Sequence, residues 1–279
     1  MREEILFTME TPYRQPLSIK GWRFVNPEKK SLAVMGALRG NEIQQMYICG
    51  QLIQALEELE RSGLLDPECG ILVVPCANQF SMNVGRRFWA ADNTDINRMF
   101  PGYDQGETTQ RIAAHIFAAL QGYRYGVQMA SFYLAGDFLP HVRMMETGYQ
   151  HTEEAEHFGL PYVVLRKPQP YDTTTLNFNW QVWETQAFSL YTRETDSVEA
   201  RSARQAVEAV LRFLRAKGLS HQDGLPQGAE PTHFREDGLH PVLSSAGGLF
   251  LRQAPAQAAL LWCVFPARRA MPWRQRCSA

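Results

Sequence analysis

The chain has 279 residues, of which 45% are hydrophobic and 20% charged, and its formal net charge is -1. A chain of this length and composition can bury a full core, so disordered, collagen-like and coiled-coil architectures are excluded. The near-neutral charge gives no global attraction to nucleic acids or anionic membranes. Small molecules are therefore the expected partners.

The cysteines and the amino-terminal residues indicate the cellular compartment in which the protein is expected. Five widely spaced cysteines form no CxxC pair, so we expect them to be reduced. The first residues, MREEILFTMETPYR, carry acids and a proline where a signal peptide has a basic start and an apolar core. The longest mostly apolar run, near residues 258–267, is shorter than the roughly 20 residues of a membrane helix. These features predict a cytoplasmic protein without a membrane span.

The first predicted elements form a strand, turn and helix unit. Residues 31–38 (SLAVMGAL) predict a strand that ends at the turn RGNE, after which the apolar period becomes helical. The apolar stripe runs from Ile43 to Leu59, and Ser62-Gly63 ends the helix. Residues 70–76 (GILVVPC) are continuously apolar, which is typical of a strand in a sheet covered by helices on both faces. The pattern predicts an α/β sandwich.

Further along, residues 78–106 show little periodicity, and a loop of this length inside a compact domain is typical of a functional site. We predict a helix over residues 107–121, strands over 125–132, 161–166 and 187–192, and a last helix over 198–217. A linker rich in Gly, Pro and His follows Leu219. It predicts a main domain of residues 1–219 and a linker with a C-terminal segment over 220–279.

Three polar segments lie at predicted strand ends, where open α/β sheets place ligands. They are residues 36–42, 86–102 (RRFWAADNTDINRMFPG) and 191–195 (YTRET). Together they resemble the succinylglutamate desuccinylase/aspartoacylase family, a deacylase branch of the zinc-carboxypeptidase-like hydrolases, over residues 31–218. The string DINRMFPG, residues 95–102, is the most specific match. The resemblance implies a three-layer α/β/α sandwich with a mixed, mostly parallel sheet.

The C-terminal segment resembles the family only at its start. Residues 244–250 (SSAGGLF) are similar to the opening of the family's small β appendage, and the resemblance stops after Leu251. Residues 238–279 contain no Asp or Glu. We expect a truncated β appendage and a disordered or partly packed tail, for which a shifted reading frame or an early truncation is one explanation.

The resemblance also implies a carboxylate site. In the family the Asn-Arg pair of the DxNR string binds the substrate carboxylate, which assigns that role to Asn97 and Arg98, with Arg86 or Arg87 assisting. A planar guanidinium holds a carboxylate through two parallel charge-assisted hydrogen bonds. The expected ligand is therefore a small molecule that carries a carboxylate.

The family's zinc site combines an H-G-x-E turn with a histidine in a later D-L-H turn. Here the turns read RGNE and QMA, so Arg39 and Ala130 stand at the histidine positions and Glu42 is the remaining ligand. A guanidinium has no lone pair to offer a metal. The resemblance implies zinc as the cofactor, but these residues predict its loss, with Arg39 replacing its charge and pairing with Glu42. A metal site rebuilt around His141 is the alternative.

Two further interpretations stay open. Arg98 could pair with Asp92 or Asp95 and only order its loop. The aromatic segment over residues 171–183 could line the acyl side of the pocket, or it could form an exposed hairpin that packs its rings on the sheet.

Glu194 resembles the family's general base, a glutamate that takes a proton from the attacking water; the alternative is a helix-capping or surface acid. The leading hypothesis is a deacylase-family hydrolase scaffold that binds a small carboxylate-bearing N-acyl compound, with Glu42 and Glu194 facing the amide. The rival is a catalytically inactive binding or regulatory relative that has lost its zinc. A peptide-binding or peptidoglycan-trimming role is a third option, and the sequence leaves room for a homo-oligomer.

Overall fold

The computed structural model describes residues 1–10, 15–132, 138–193 and 195–238, together with the backbone of residues 248–252 and 262–266. Tertiary contacts divide the chain into two compact units, Met1–Asp237 and Gly238–Ala279. The domain boundary predicted after Leu219 stays a prediction.

The described part of the first unit contains one nine-stranded sheet with the order β1-β2-β4-β3-β5-β8-β6-β7-β9. The strands are β1 Arg2–Met9, β2 Leu17–Val25, β3 Leu32–Ala37, β4 Gly70–Cys76, β5 Tyr125–Ala130, β6 His141–Met145, β7 Tyr162–Arg166, β8 Gln186–Tyr191 and β9 Thr232–Arg235. Strand β3 is parallel to both β4 and β5, and β8 is parallel to β5. Strands β6, β7 and β9 are parallel to one another, while β6 is antiparallel to β8. The antiparallel pairs β1–β2 and β2–β4 complete a mixed, mostly parallel sheet.

Helices cover both faces of the sheet. They are α1 Ile43–Arg61, α2 Gln79–Asn83, α3 Thr108–Leu120, α4 Thr152–Ala155, α5 Leu176–Val182 and α6 Ala200–Ala216. The buried side chains of α1 and α6 share one core cluster with residues such as Val34 and Val127 of the sheet. Those of α3 and α5 share the other cluster with Ala33 and Met35. The α/β/α sandwich is therefore confirmed. None of the helices in the described part of the chain combines the length and the hydrophobicity of a transmembrane segment.

The aromatic segment over residues 171–183 contains helix α5, Leu176–Val182, so the hairpin alternative is wrong, while its role in lining the acyl side of the pocket stays a prediction. Thr175 caps α5, because its hydroxyl oxygen accepts the backbone N–H of Phe178 at 3.4 Å. Leu176 and Trp180 lie one helical turn apart and are fully buried. This cap and this apolar spacing favour a helix over a strand, whose inward-facing residues would alternate.

In the second unit the described backbone forms two antiparallel strands, β10 Gly248–Arg252 and β11 Trp262–Pro266. The remainder of the predicted tail lies outside the described residues.

Candidate functional site

Strands β3, β4, β5 and β8 run parallel, so their carboxyl ends meet at one edge of the sheet. The turn of residues 38–42 follows β3 there, and Ser131 follows β5 directly. Strand β6 runs the opposite way, so its first residue, His141, lies opposite Tyr191, the last residue of β8. This edge, with the loops above it, forms the candidate site.

Glu42 is the residue before α1 and is only 2% exposed. Its Oε2 accepts the backbone N–H groups of Leu38 at 2.8 Å and Arg39 at 3.0 Å. Its Oε1 accepts Nη1 of Arg39 at 3.0 Å and the hydroxyl of Ser131. A carboxylate offers about four lone-pair directions, so Glu42 has its accepting capacity filled by protein donors.

Arg39 is 5% exposed and lies between two carboxylates. Besides its ion pair with Glu42, its Nε and Nη2 donate to Oδ2 of Asp95 at 3.1 and 2.9 Å. The other oxygen of Asp95 accepts the backbone N–H of Asn97 at 3.0 Å. One guanidinium therefore joins the end of β3, the start of α1 and the DINR loop.

Gly40 allows the loop of residues 86–87 to approach this turn. Its N–H donates to the carbonyl of Arg87 at 2.8 Å. A Cβ at position 40 would lie 2.1 Å from the carbonyl oxygen of Arg86 and 2.7 Å from the backbone nitrogen of Met82. The backbone beside the two predicted assisting arginines is thus fixed against the site, while the Arg86 side chain is exposed.

Asn97 and Arg98 have different surroundings. Asn97 is 7% exposed, and its Oδ1 accepts the backbone N–H of Leu176, the first residue of α5, at 3.3 Å. The Nη1 of Arg98 donates to the carbonyl of Tyr171 at 2.5 Å and to Oδ1 of Asp172 at 3.3 Å. Both residues therefore link the DINR loop to the segment that leads into α5.

Arg98 shares its acid with a second arginine. Asp172 is 2% exposed in its side chain and also accepts from Arg166, at 3.2 Å on Oδ1 and 3.0 Å on Oδ2. The ring of Tyr171 lies beside both guanidinium groups, 5.1 Å from that of Arg98 and 5.8 Å from that of Arg166. Arg166 has a second carboxylate, because its Nε lies 2.8 Å from Oε2 of Glu236, so Arg98 is the arginine of this pair that depends on Asp172 alone among the carboxylates paired with it here.

The loop-ordering partners that the sequence offered for Arg98 are otherwise engaged. Asp95 pairs with Arg39, and Asp92 accepts the backbone N–H of Thr94 at 2.9 Å. Arg98 is paired with Asp172 instead.

The predicted metal positions do not assemble a chelate. Ala130 ends β5, and its carbonyl accepts Nε2 of Gln45 at 3.0 Å. His141 stacks on the ring of Tyr191 at 4.7 Å between centroids, and its Nδ1 lies 2.8 Å from the carbonyl of Leu139. Burial lowers the pKa of His141 to about 4. In the part of the chain that the structure describes, no three His, Cys, Asp or Glu side chains are grouped to hold a metal ion.

The donor set therefore does not fit zinc. Glu42 is the one family ligand kept here, and the four donors that it accepts would have to leave before it could bind a cation. The fixed charge of Arg39 would also repel a divalent ion at this position.

Glu194, the predicted general base, lies outside the described residues. Its neighbours reach the same edge, because Thr192 follows β8 and is 5% exposed. The backbone N–H of Arg193 donates to the hydroxyl of Ser202 on α6 at 3.2 Å. The role of Glu194 stays a prediction.

Sequence reasoning missed several polar residues near the site. Asp172 and Ser131 became recognisable only through their tertiary partners. Other polar residues could have been identified from the sequence, because each occupies an alternating position of a mostly apolar strand. They are Gln128, Ser189 and Arg143.

Comparison with known proteins places this geometry in a family. A sequence model of the succinylglutamate desuccinylase/aspartoacylase catalytic domain matches residues 28–217. The chain belongs to this family. It therefore has the deacylase-type scaffold of a family that acts on N-acyl amino acids and is generally zinc-dependent.

Solved structures support the fold. A succinylglutamate desuccinylase from Silicibacter sp. TM1040 has a TM-score of 0.76 at 17% identity, covering 97% of this chain and 84% of that one. The product-bound ectoine utilization protein EutE (DoeB) from Ruegeria pomeroyi has a TM-score of 0.70 at 20% identity, covering 92% and 79%. A succinylglutamate desuccinylase/aspartoacylase from Rhodobacter sphaeroides has a TM-score of 0.68 at 19% identity, covering 86% and 72%. No curated protein gives a significant match.

Proposed function

We propose that this chain binds a small carboxylate-bearing N-acyl compound and has no catalytic zinc ion. The observation that carries the proposal is the position of Arg39. It stands where the family has a histidine ligand, and it is held by Glu42 and Asp95 at 2.9–3.1 Å. The guanidinium keeps a positive charge in the site but supplies no Lewis acid.

The proposed carboxylate-binding site, called the grip below, consists of Asn97 and Arg98, with Arg86 or Arg87 assisting. Its support is the sharing of Asp172 between two arginines, since the ligand carboxylate would meet an arginine, Arg98, whose acid is also bound by Arg166. The Ruegeria pomeroyi relative was solved with a product bound, which is consistent with a small-molecule site in this fold.

We infer that the function is binding and that zinc-activated hydrolysis has been lost. Glu42 holds the Arg39 guanidinium, and we assign Glu194 to the position of the family's general base. A binding or regulatory role needs the grip alone, whereas hydrolysis would need a water activated without the metal.

The test is a thermal-shift and calorimetric screen of N-acetyl amino acids, with and without added zinc. A ligand that binds only the folded state raises the melting temperature in proportion to ln(1 + [L]/Kd). We expect stabilisation that does not depend on zinc, and less than stoichiometric zinc in the purified protein by mass spectrometry. Stoichiometric zinc would contradict the proposal.

The Arg98→Ala variant tests the grip. Losing a hydrogen bond to a charged group costs roughly 1.5–3 kcal/mol, so Kd should rise about tenfold or more. Arg204→Ala, at an exposed position of α6, is the matched control and should bind like the wild type. Equal affinities for Arg98→Ala and the wild type would remove Arg98 from the site.

A further inference from the structure

A second cavity lies at the C-terminal end of α6 and is open to solvent. Its volume is about 370 Å³. It is lined by Arg212, Arg215 and Ala216 of the helix and by residues 225–228 of the segment that leads to β9. Small-molecule sites have volumes of roughly 300–1,000 Å³, so a compact ligand fits this space. The described residues of the candidate site take no part in the lining.

The cavity is far from the candidate site along α6. Ser202, in the first turn of this helix, accepts the backbone N–H of Arg193, which follows β8 at the carboxyl edge of the sheet. An α-helix rises 1.5 Å per residue, so Arg212 lies about 15 Å farther along. Beyond the helix, Ser220 forms a bridge with Leu65, which follows α1. A ligand in the cavity would therefore not compete with one at the candidate site.

Arg212 places a half-buried positive charge at the cavity. Its Nε donates to the carbonyl of Phe158 at 3.0 Å, and its Nη1 donates to the carbonyl of Pro226 at 3.4 Å. Both partners are neutral, and within the described part of the chain no carboxylate forms an ion pair with this guanidinium. Burial lowers the pKa of Arg212, and the more distant charge of Glu208 opposes that shift. An anion in contact with the guanidinium would stabilise its charge.

Arg215 adds a second guanidinium on the same side of α6. Residues three apart are neighbours on a helix surface, so Arg212 and Arg215 can reach one ligand. The Nη2 of Arg215 lies 2.9 Å from Oδ1 of Asp223, and the two side chains are 49% and 90% exposed. An exposed pair of this kind contributes about 0–1 kcal/mol, so an entering anion can displace Asp223.

Two glycines hold the segment of residues 225–228 close to Arg212. A Cβ at Gly228 would lie 2.6 Å from Cα of Gly159 and 3.1 Å from Nε of Arg212. The N–H of Ala229 donates to the carbonyl of Gly159 at 2.9 Å. Leu225 packs against the core cluster that α1 and α6 share. The cavity is therefore formed before a ligand enters, which reduces the entropy lost on binding.

We propose that this cavity is a binding site for the phosphate group of a small phosphate ester. Arg212 and Arg215 bind the phosphate oxygens, and Leu225 and Pro226 contact the apolar part of the molecule. A phosphate monoester carries a charge of about −1.5 to −2 at pH 7, which matches two guanidinium groups better than the single charge of a carboxylate does. The planar guanidinium also donates to two phosphate oxygens at once. The inference is independent of the proposed function.

The experiment is titration calorimetry of the full chain with phenyl phosphate, inorganic phosphate and benzoate. The wild type should bind phenyl phosphate at least tenfold tighter than benzoate, because the two ligands share a ring and differ in charge. Inorganic phosphate should bind more weakly than phenyl phosphate, because it lacks the ring that contacts the apolar residues. Bound phenyl phosphate should also slow hydrogen exchange of the backbone amides in residues 223–228.

Three variants test the residues. Arg215→Met, at an exposed position, should weaken phenyl phosphate binding tenfold or more, and Arg212→Met should do the same. Asp223→Asn removes the competing acid, so affinity should rise several-fold. This opposite change keeps the test decisive if Arg212→Met folds poorly. The matched control is Arg204→Met, on the exposed surface of α6 outside the cavity, which should bind like the wild type.

Several results would overturn the inference. They are the absence of phenyl phosphate binding at millimolar concentration, benzoate binding as tight as that of phenyl phosphate, and unchanged affinity in both Arg215→Met and Asp223→Asn. Phenyl phosphate binding that is lost in Arg98→Ala and kept in Arg215→Met would place the anion in the grip instead. Equal affinities for inorganic phosphate and phenyl phosphate would support a phosphate site and overturn the ester as its ligand.

Discussion

At position 39 an arginine stands where the family has a histidine that donates a lone pair to zinc. The carboxylates of Glu42 and Asp95 therefore still pair with a positive charge. The side chains of Arg39 and Glu42 are 6% and 2% exposed, and that of Asp95 is 11% exposed. Charges buried to this degree are stable only when they are paired and hydrogen-bonded. The site therefore depends on Arg39 for stability as well as for electrostatics.

Arg39→Met should be strongly destabilising, because it leaves two acids without their common partner. Breaking a buried ion pair costs about 3–5 kcal/mol, which should appear in the free energy of unfolding measured in urea. The control is Arg61→Met, which removes a surface pair with Glu57 in which the side chains are 71% and 44% exposed. It should cost less than about 1 kcal/mol. Similar losses for the two variants would show that the buried network contributes little.

The residues of the site differ in how far the sequence could predict them. Arg39 and Glu42 belong to one turn, so their pairing follows from local spacing. Asp95 and Ser131 are 56 residues from Arg39 and 89 from Glu42, respectively, and they reach the turn only through the order of the strands. The order of the strands cannot be read from a single sequence, because it depends on how the whole sheet packs.

At the scale of elements, the turn between β3 and α1 is shaped by close backbone packing. The amide of Gly40 is bonded to the loop of residues 86–87, and there is no room for a side chain on its Cα. Gly50, in the middle of α1, has open space around it. The two glycines allow a matched comparison of the same substitution.

Gly40→Ala should destabilise the protein, because the new methyl would overlap the carbonyl of Arg86 and force the loop away. Overpacking of this kind costs about 1–3 kcal/mol. Gly50→Ala should stabilise it by roughly 0.5–1 kcal/mol, since alanine loses less conformational entropy in a helix. Both values come from chemical denaturation. A neutral Gly40→Ala variant would mean that the two loops separate easily in solution.

Elements with strong local signals were predicted well. The apolar run of β4 and the amphipathic stripes of α1, α3 and α6 match the structure to within one or two residues. The hairpin β1–β2 was missed, because the exposed edge strand β1 buries only Phe7 fully. Strand β6 was missed because its five residues alternate between partly and fully buried positions and include His141 and Arg143.

At the scale of the whole molecule, the direction of one strand decides which residues can meet. Because β6 is antiparallel to β8, it begins at the edge that carries the candidate site and runs into the sheet, which places Arg143 two residues deeper than His141. A parallel β6 would carry its side chains in the opposite order along this edge. The position of Arg143 beside Ser189 is thus a product of topology, which no local pattern in the chain contains.

The extent of the folded unit can be tested by truncation. Composition predicts a boundary after Leu219, whereas tertiary contacts continue to Asp237. Between them, β9 pairs with β7, and Arg235 holds Glu146 through two contacts of 2.7 and 2.6 Å. Glu236 also supplies the counter-charge for Arg166. Residues 220–238 therefore cover the edge of the sheet and supply a carboxylate to Arg166.

A chain that ends at residue 219 should unfold at a lower urea concentration than one that ends at residue 238. Without residues 220–238, β7 becomes an exposed edge strand, and Arg166 and Arg143 lose the carboxylate of Glu236. Light scattering should also show that the shorter chain associates, since an unpaired edge strand recruits other chains. The chain ending at residue 238 should unfold in a single transition. Equal midpoints and equal solubility would instead place the end of the domain at Leu219 and reduce β9 to an attachment that adds no stability to the sheet.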